Sequence, residues 1–175
     1  HVWFDIPLWA GCVETVVKGL SAADPPGQLE YARRGGEVRA RLDQLHQWTL
    51  QRVAELAPEK RILVTSHDAF NYFGRAYGFK VVGLQGISTV EEASLASMVR
   101  LVEFIKQQQV KAIFAESSVP HQAIERISRD AGVSVGGELF SDATGTPGQI
   151  ERGYDLGTYE GMVKHNVNAI VEALK

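Results

Sequence analysis

Between Arg61 and Leu139, short apolar runs alternate with helix-patterned segments, and that alternation limits the fold more than any other feature. The runs are about Arg61–Thr65, Lys80–Leu84, Ala112–Ala115 and Val133–Leu139. A helical segment through Ala76 separates the first two. Ser88-Thr89-Val90-Glu91 then reads as a capping box, since a Ser hydroxyl and a Glu three residues on satisfy each other's free backbone N–H groups. The helix it opens places Leu95, Met98, Val99, Val102 and Ile105 on one face, and another helix runs from about His121 to Asp130. A Gly-rich loop, Gly145 to Gly157, leads to a last helix with Val163, Val167, Ile170 and Leu174 inward. Repeated strand–helix units with short loops imply a parallel sheet covered by helices. Right-handed crossovers then set every strand's carboxyl end on one edge. The expectation is an α/β lobe built on a four-stranded parallel sheet.

Ahead of this lobe the pattern is helical. Residues 8 to about 20 read as a short helix, stopped by the breaker cluster Asp24-Pro25-Pro26-Gly27. A long helix follows from Gln28 to about Leu56, with Val38, Leu42, Leu45, Val53 and Leu56 mostly at three- and four-residue steps. Gly35-Gly36 interrupts it; each Gly costs about 1 kcal/mol against Ala inside a helix, so a kink is expected there. Pro58 ends the segment. The chain therefore divides into residues 1–59, helical, and 60–175, α/β.

The 175 residues suffice for one α/β domain with a real core. At 45% hydrophobic and 22% charged the chain has a soluble composition, and a net charge of −3 gives no basis for nucleic-acid binding. No apolar run approaches the roughly 20 residues that span a bilayer. Cys12 is the single cysteine, which excludes an internal disulfide and disfavours a Cys-based zinc site. The first residue is His, not Met, so the chain is read as a processed or shortened form.

Polar groups just past the carboxyl ends of parallel strands collect in one crevice, where open α/β sheets bind ligands. His67 follows the first run. It is either a metal ligand through a neutral imidazole or a ring that hydrogen-bonds its own loop. Asp142 follows the fourth run and either neutralises a dication or closes an Asx-turn. Glu116 ends the third; orienting a histidine or anchoring the loop is favoured over direct ligation. A His and a carboxylate converging on this edge suggest a metal. His1 by position alone is a solvated, mobile terminus. His165 lies off the apolar stripe of the last helix and reads as a surface residue, His46 as exposed, and His121 as a helix-start residue. Tyr72, Phe73 and Tyr77 read as helix packing. No H-E-x-x-H, G-x-S-x-G or P-loop pattern is present.

The stretch Ser66-His67-Asp68-Ala69-Phe70-Asn71-Tyr72-Phe73-Gly74-Arg75-Ala76-Tyr77-Gly78-Phe79 resembles the central motif of the metal-binding solute-binding proteins of ABC transporters, the zinc/manganese receptors of TroA type. Gly83-Leu84-Gln85-Gly86-Ile87-Ser88-Thr89, Glu116-Ser117-Ser118-Val119-Pro120-His121, Gly136-Gly137-Glu138-Leu139-Phe140-Ser141-Asp142 and Tyr159-Glu160-Gly161-Met162-Val163-Lys164-His165-Asn166 extend the resemblance end to end. It implies a receptor of two α/β lobes joined by a long rigid helix, with a divalent metal held between them by four side chains. His1, in His1-Val2-Trp3-Phe4-Asp5, matches the second ligand. His67 matches the third, which is Glu in many manganese-preferring members, and Asp142 matches the carboxylate. The first ligand, a His of the amino-terminal lobe, has no counterpart here.

The chain thus resembles the linker helix and carboxyl-terminal lobe of such a receptor. The implied cofactor is zinc or manganese, with iron also accommodated. The implied partners are a membrane ABC permease and the missing amino-terminal lobe. The implied place is periplasmic or extracellular, at the membrane. With the other lobe absent, His1 is expected to be poorly held and metal binding by this piece weak or lost. Its lobe-facing surface is expected to drive self-association. A small metal-dependent hydrolase, with His67 and Asp142 as ligands and Glu116 as base, is the alternative reading.

Overall fold

The computed structural model describes residues 1–86 and 94–175. Four parallel strands, β1 (Ile62–Thr65), β2 (Lys80–Gly83), β3 (Ala112–Glu116) and β4 (Ser134–Leu139), lie side by side in the order β2-β1-β3-β4. The expected sheet is therefore found. The central strands β1 and β3 read as continuous apolar runs because both their faces are covered. Around them are α1 (Ile6–Ala23), α2 (Gln28–Val53), α3 (Asn71–Tyr77), α4 (Leu95–Gln107), α5 (Gln122–Ala131) and α6 (Tyr159–Leu174). On one side Phe70, Phe73, Phe114, Val167 and Ile170 form a core that also takes in Phe4, Ile6, Leu42 and Leu45. On the other, Val64, Leu101, Ile105, Ile113, Ile124 and Ile127 join β1 and β3 to α4 and α5. The two helices that precede the sheet are thus welded to it by buried apolar surface, at about 25 cal/mol per Å² removed from water.

The β3–β4 pairing slips one residue between Ile113 and Ala115, so β4 carries a bulge at Gly136-Gly137. Gly137 has φ +144°. A Cβ on Gly136 would sit 2.5 Å from the Ala173 methyl and 2.8 Å from the Phe114 ring. The Gly pair lets α6 lie directly on β4 and re-aims the strand just before it delivers Asp142.

Several elements differ from their sequence reading. Helix α2 is unbroken through Gly35-Gly36. A side chain at Gly35 would collide with Val17 of α1, so the glycine serves the close approach of the two helices, which fold into a hairpin across the Asp24–Gly27 turn. Helix α1 begins at Ile6, earlier than expected, because the Asp5 carboxylate accepts from the Leu8 N–H at 3.0 Å and caps it. The capping box at Ser88–Glu91 lies outside the described residues. Helix α4 is opened by Ser94, whose hydroxyl accepts from the Ser97 N–H at 3.1 Å. Its Leu95 and Val99 are exposed, and Leu101 and Ile105 form the buried face. The Gly-rich loop holds a small antiparallel hairpin, β5 (Ile150–Glu151) and β6 (Tyr154–Asp155), turned by Arg152-Gly153 with both φ positive. Two-residue strands are too short to leave a periodic signal. Among the described residues, no helix is long and apolar enough to cross a membrane.

Candidate metal centre

Strand β1 ends at Thr65, whose hydroxyl donates to the His67 carbonyl at 2.8 Å and tightens the turn that follows. His67 is 0% exposed, as is Glu116 at the end of the neighbouring strand β3. One Glu116 oxygen accepts from the His67 backbone N–H at 2.8 Å, and the other lies 2.6 Å from His67 Nδ1. Glu116 thus faces both the backbone and the ring of His67. Strand β4 passes the same edge and continues into Phe140-Ser141-Asp142. Asn166 of α6 holds that loop, taking the Phe140 N–H at 2.9 Å and donating to its carbonyl at 2.7 Å. The Ser118 and Ser141 hydroxyls add a 2.8 Å bond. So held, Asp142 directs Oδ2 to within 3.4 Å of His67 Nε2 while its side chain stays 38% exposed.

His1 joins them. It precedes a 3-10 turn, Val2–Phe4, in which the Phe4 N–H donates to the His1 carbonyl at 3.2 Å. Phe4 is buried and stacks on Phe70 at 4.4 Å between centroids. The His1 ring packs edge-on to Trp3 at 5.2 Å and to His67 at 5.3 Å, and its Nε2 lies 2.9 Å from Asp142 Oδ1. Its side chain is only 13% exposed. The expectation of a loosely held His1 is not what the structure places there. Phe4 belongs to the core and Trp3 packs against it, so contacts within this chain hold the turn.

The His1, His67 and Asp142 donor atoms lie within 4.8 Å of one another. A tetrahedral dication with bonds of about 2.0–2.1 Å sets its ligands roughly 3.3 Å apart. Asp142 meets the two rings through different oxygens, Oδ1 at 2.9 Å from His1 and Oδ2 at 3.4 Å from His67, each near that spacing. Nε2 of His67 is buried and has no hydrogen-bond partner among the described residues. An unsatisfied buried nitrogen is costly, and a cation at Nε2 would relieve it. Burial by itself would lower the His67 pKa. The Glu116 hydrogen bond, with the charges of Glu116, Asp142 and Asp68, outweighs it and holds the group above its ordinary value. Two imidazoles and a carboxylate, one ring braced by a buried Glu, suit zinc and tolerate manganese. With both Glu116 oxygens turned to His67 and none exposed, the base required by the hydrolase reading has no reach to a substrate water.

The remaining histidines lie elsewhere. His165, read as a surface residue, is half-buried. Its Nδ1 lies 3.1 Å from Glu151 and its Nε2 2.9 Å from the Glu138 carbonyl, tying α6 to β4 and the small hairpin. His46, read as exposed, is half-buried against the Tyr77 hydroxyl at 3.1 Å. His121 stands at the start of α5, 3.3 Å from Glu138. Phe73 and Tyr77 pack in the core; Tyr72 is exposed under the Arg75 guanidinium. Sequence reasoning missed Trp3, Ser141, Tyr159 and Asn166, which hold the donor-bearing segments. Each lies inside a motif that carries the resemblance, but nothing in those motifs gave the residue a role in holding a donor.

The family described as zinc-uptake complex component A, periplasmic (ZnuA) matches residues 1–173. The chain is 46% identical to the zinc-binding protein TroA of Treponema pallidum, covering 99% of this chain and 56% of that protein. It is 42% identical to the manganese-binding lipoprotein MntA of Bacillus subtilis, covering 100% and 57%. The solved structure of the periplasmic zinc-binding protein TroA from Treponema pallidum superposes with a TM-score of 0.91 at 45% identity, covering 99% of this chain and 63% of that one. The chain thus spans a little over half the length of these curated relatives.

Proposed function

Because the chain belongs to the ZnuA family of periplasmic zinc-uptake components, we propose that it is the part of a receptor that captures a divalent cation, zinc or manganese, and hands it to an ABC permease in the membrane. His1, His67 and Asp142 donate to the ion, and Glu116 orients His67. The observation that carries this reading is the convergence of those three donors, from three separate segments, within 4.8 Å. Capture and handover fit the donor set better than catalysis, since the carboxylate that could serve as base is engaged by His67. Relatives named as periplasmic or lipoprotein receptors support a place outside the cytoplasmic membrane.

Three protein donors leave a coordination position free. In the complete receptor it is filled from a second lobe, which also closes over the cation. This chain by itself therefore binds more weakly than the whole receptor. Zinc binds more tightly than manganese at such a site by the Irving–Williams order, and supply decides which is carried. The division near residue 59 belongs to the same reading: the hairpin α1–α2 spans the lobes, and residues 60–175 form one of them.

Calorimetric titration with Zn²⁺ and with Mn²⁺ tests it. One equivalent of zinc is expected to bind the chain, and His67→Ala is expected to abolish binding. Equal heats from the two proteins would refute the site. Zinc-dependent ester or phosphoester turnover by the chain, lost in Glu116→Ala, would favour the hydrolase instead.

A further inference from the structure

The donor-bearing turn at His1 is tied to the lobe at three points. The Trp3 indole N–H donates to the Ser141 carbonyl at 3.1 Å, one residue before Asp142. The Tyr159 hydroxyl, on the first residue of α6, donates to the Trp3 carbonyl at 2.6 Å. Asp5, which caps α1, takes the Arg75 guanidinium at 2.7 Å, joining the same turn to the helix that follows His67. Trp3 also supplies the edge-on ring beside His1. A hydrogen-bonded turn with an aromatic buttress leaves the imidazole few alternatives to the cleft.

Resting on the receptor reading above, we infer that Trp3 and Tyr159 are positioning residues of the cation site: they bolt the His1 turn to the Asp142 loop and to α6, and so preassemble three donors without the second lobe. Neither touches the ion. Each acts through the placement of His1. Burial, with the charge of Asp5 beside it, raises the Tyr159 hydroxyl far above its ordinary pKa, which keeps it a donor throughout the physiological range. Preorganisation of this kind lowers the ordering cost of binding.

Trp3→Phe and Tyr159→Phe each delete one donor and keep a ring. The probe is Co²⁺ alone, added to the 175-residue chain, with ring contacts of the metal-free protein read by NMR and folding by thermal melts. In the parent chain we expect a nuclear Overhauser contact between the His1 and His67 rings and two cobalt-shifted imidazoles. In each variant we expect that contact to vanish, one shifted imidazole to remain, and Co²⁺ affinity to drop about tenfold, as for other residues that orient ligands, while the melting temperature holds. Retention of the ring contact and of both shifted imidazoles in the two variants overturns the proposal. So does an affinity loss that merely follows a fall in melting temperature with both imidazoles still bound. If Trp3→Phe fails to fold, Tyr159→Phe, one hydroxyl lighter, carries the same test. If the parent chain takes up no Co²⁺, the ring contact still decides: its loss in the variants keeps the positioning role while the receptor reading falls, and its persistence sinks both.

Discussion

Glu116 shows how much one buried side chain decides. Its carboxylate accepts the His67 backbone N–H and faces the same residue's ring. Glu116→Ala would strand the backbone donor in a dry interior, and we expect it to destabilise the fold by roughly 1–3 kcal/mol in urea denaturation. Glu116→Gln keeps an acceptor for the backbone but loses the charge; zinc affinity is expected to fall about 10- to 100-fold in a competition assay. The same charge governs pH behaviour. His67 is raised above its ordinary value in the folded chain. Its contribution to stability is therefore full below the unfolded pKa of about 6.5 and is lost as pH rises through the higher folded value. Zinc requires the deprotonated Nε2, so protons compete with it. Metal-free protein is expected to lose some melting temperature as pH rises above about 6.5, and the stabilisation added by zinc to grow over the same window. A zinc shift that is flat with pH would contradict this.

At the scale of elements, the strands do the aiming and the close contacts between helices and strands set how well. Strand β4 reaches Asp142 only after its bulge, and Gly136 permits the bulged strand to lie against Ala173. Gly136→Ala overpacks that contact. A loss of about 1–3 kcal/mol is expected in chemical denaturation, accompanied by weaker zinc binding because the Asp142 loop moves with the strand. Both Gly35 and Gly136 are read more truly as sites of close approach than as weak points. In sequence a glycine in a helix predicts a kink; in space Gly35 is where α1 and α2 meet.

For the whole molecule, the apolar residues left outside the core gather on the first two helices. Val16, Leu20, Leu29 and Val38 are exposed there, beyond the part of the hairpin that packs on the sheet. Exposed apolar surface of this kind finds a partner. On the receptor reading proposed above that partner is a second lobe; for this chain alone we expect self-association at high concentration, seen by sedimentation velocity and reduced in Leu20→Glu/Leu29→Glu. A monomer at all concentrations would argue that the hairpin is adequately solvated.

Periodicity and punctuation in the sequence determined the four parallel strands, their covering helices and the single edge that gathers His67, Glu116 and Asp142, because local alternation reports which faces are buried and parallel connections leave little choice of direction. The resemblance already pointed to His1 as a donor, but the tertiary structure alone decided how its ring is seated beside His67 and Asp142, that Trp3 and Tyr159 tie its turn down, that His165 and His46 are engaged rather than free, and that the glycine-rich loop contains a hairpin. Those outcomes depend on contacts between segments as much as 156 residues apart, as in the Tyr159–Trp3 bond. No local pattern encodes such a contact, since it exists only once the core has brought the two ends of the chain together.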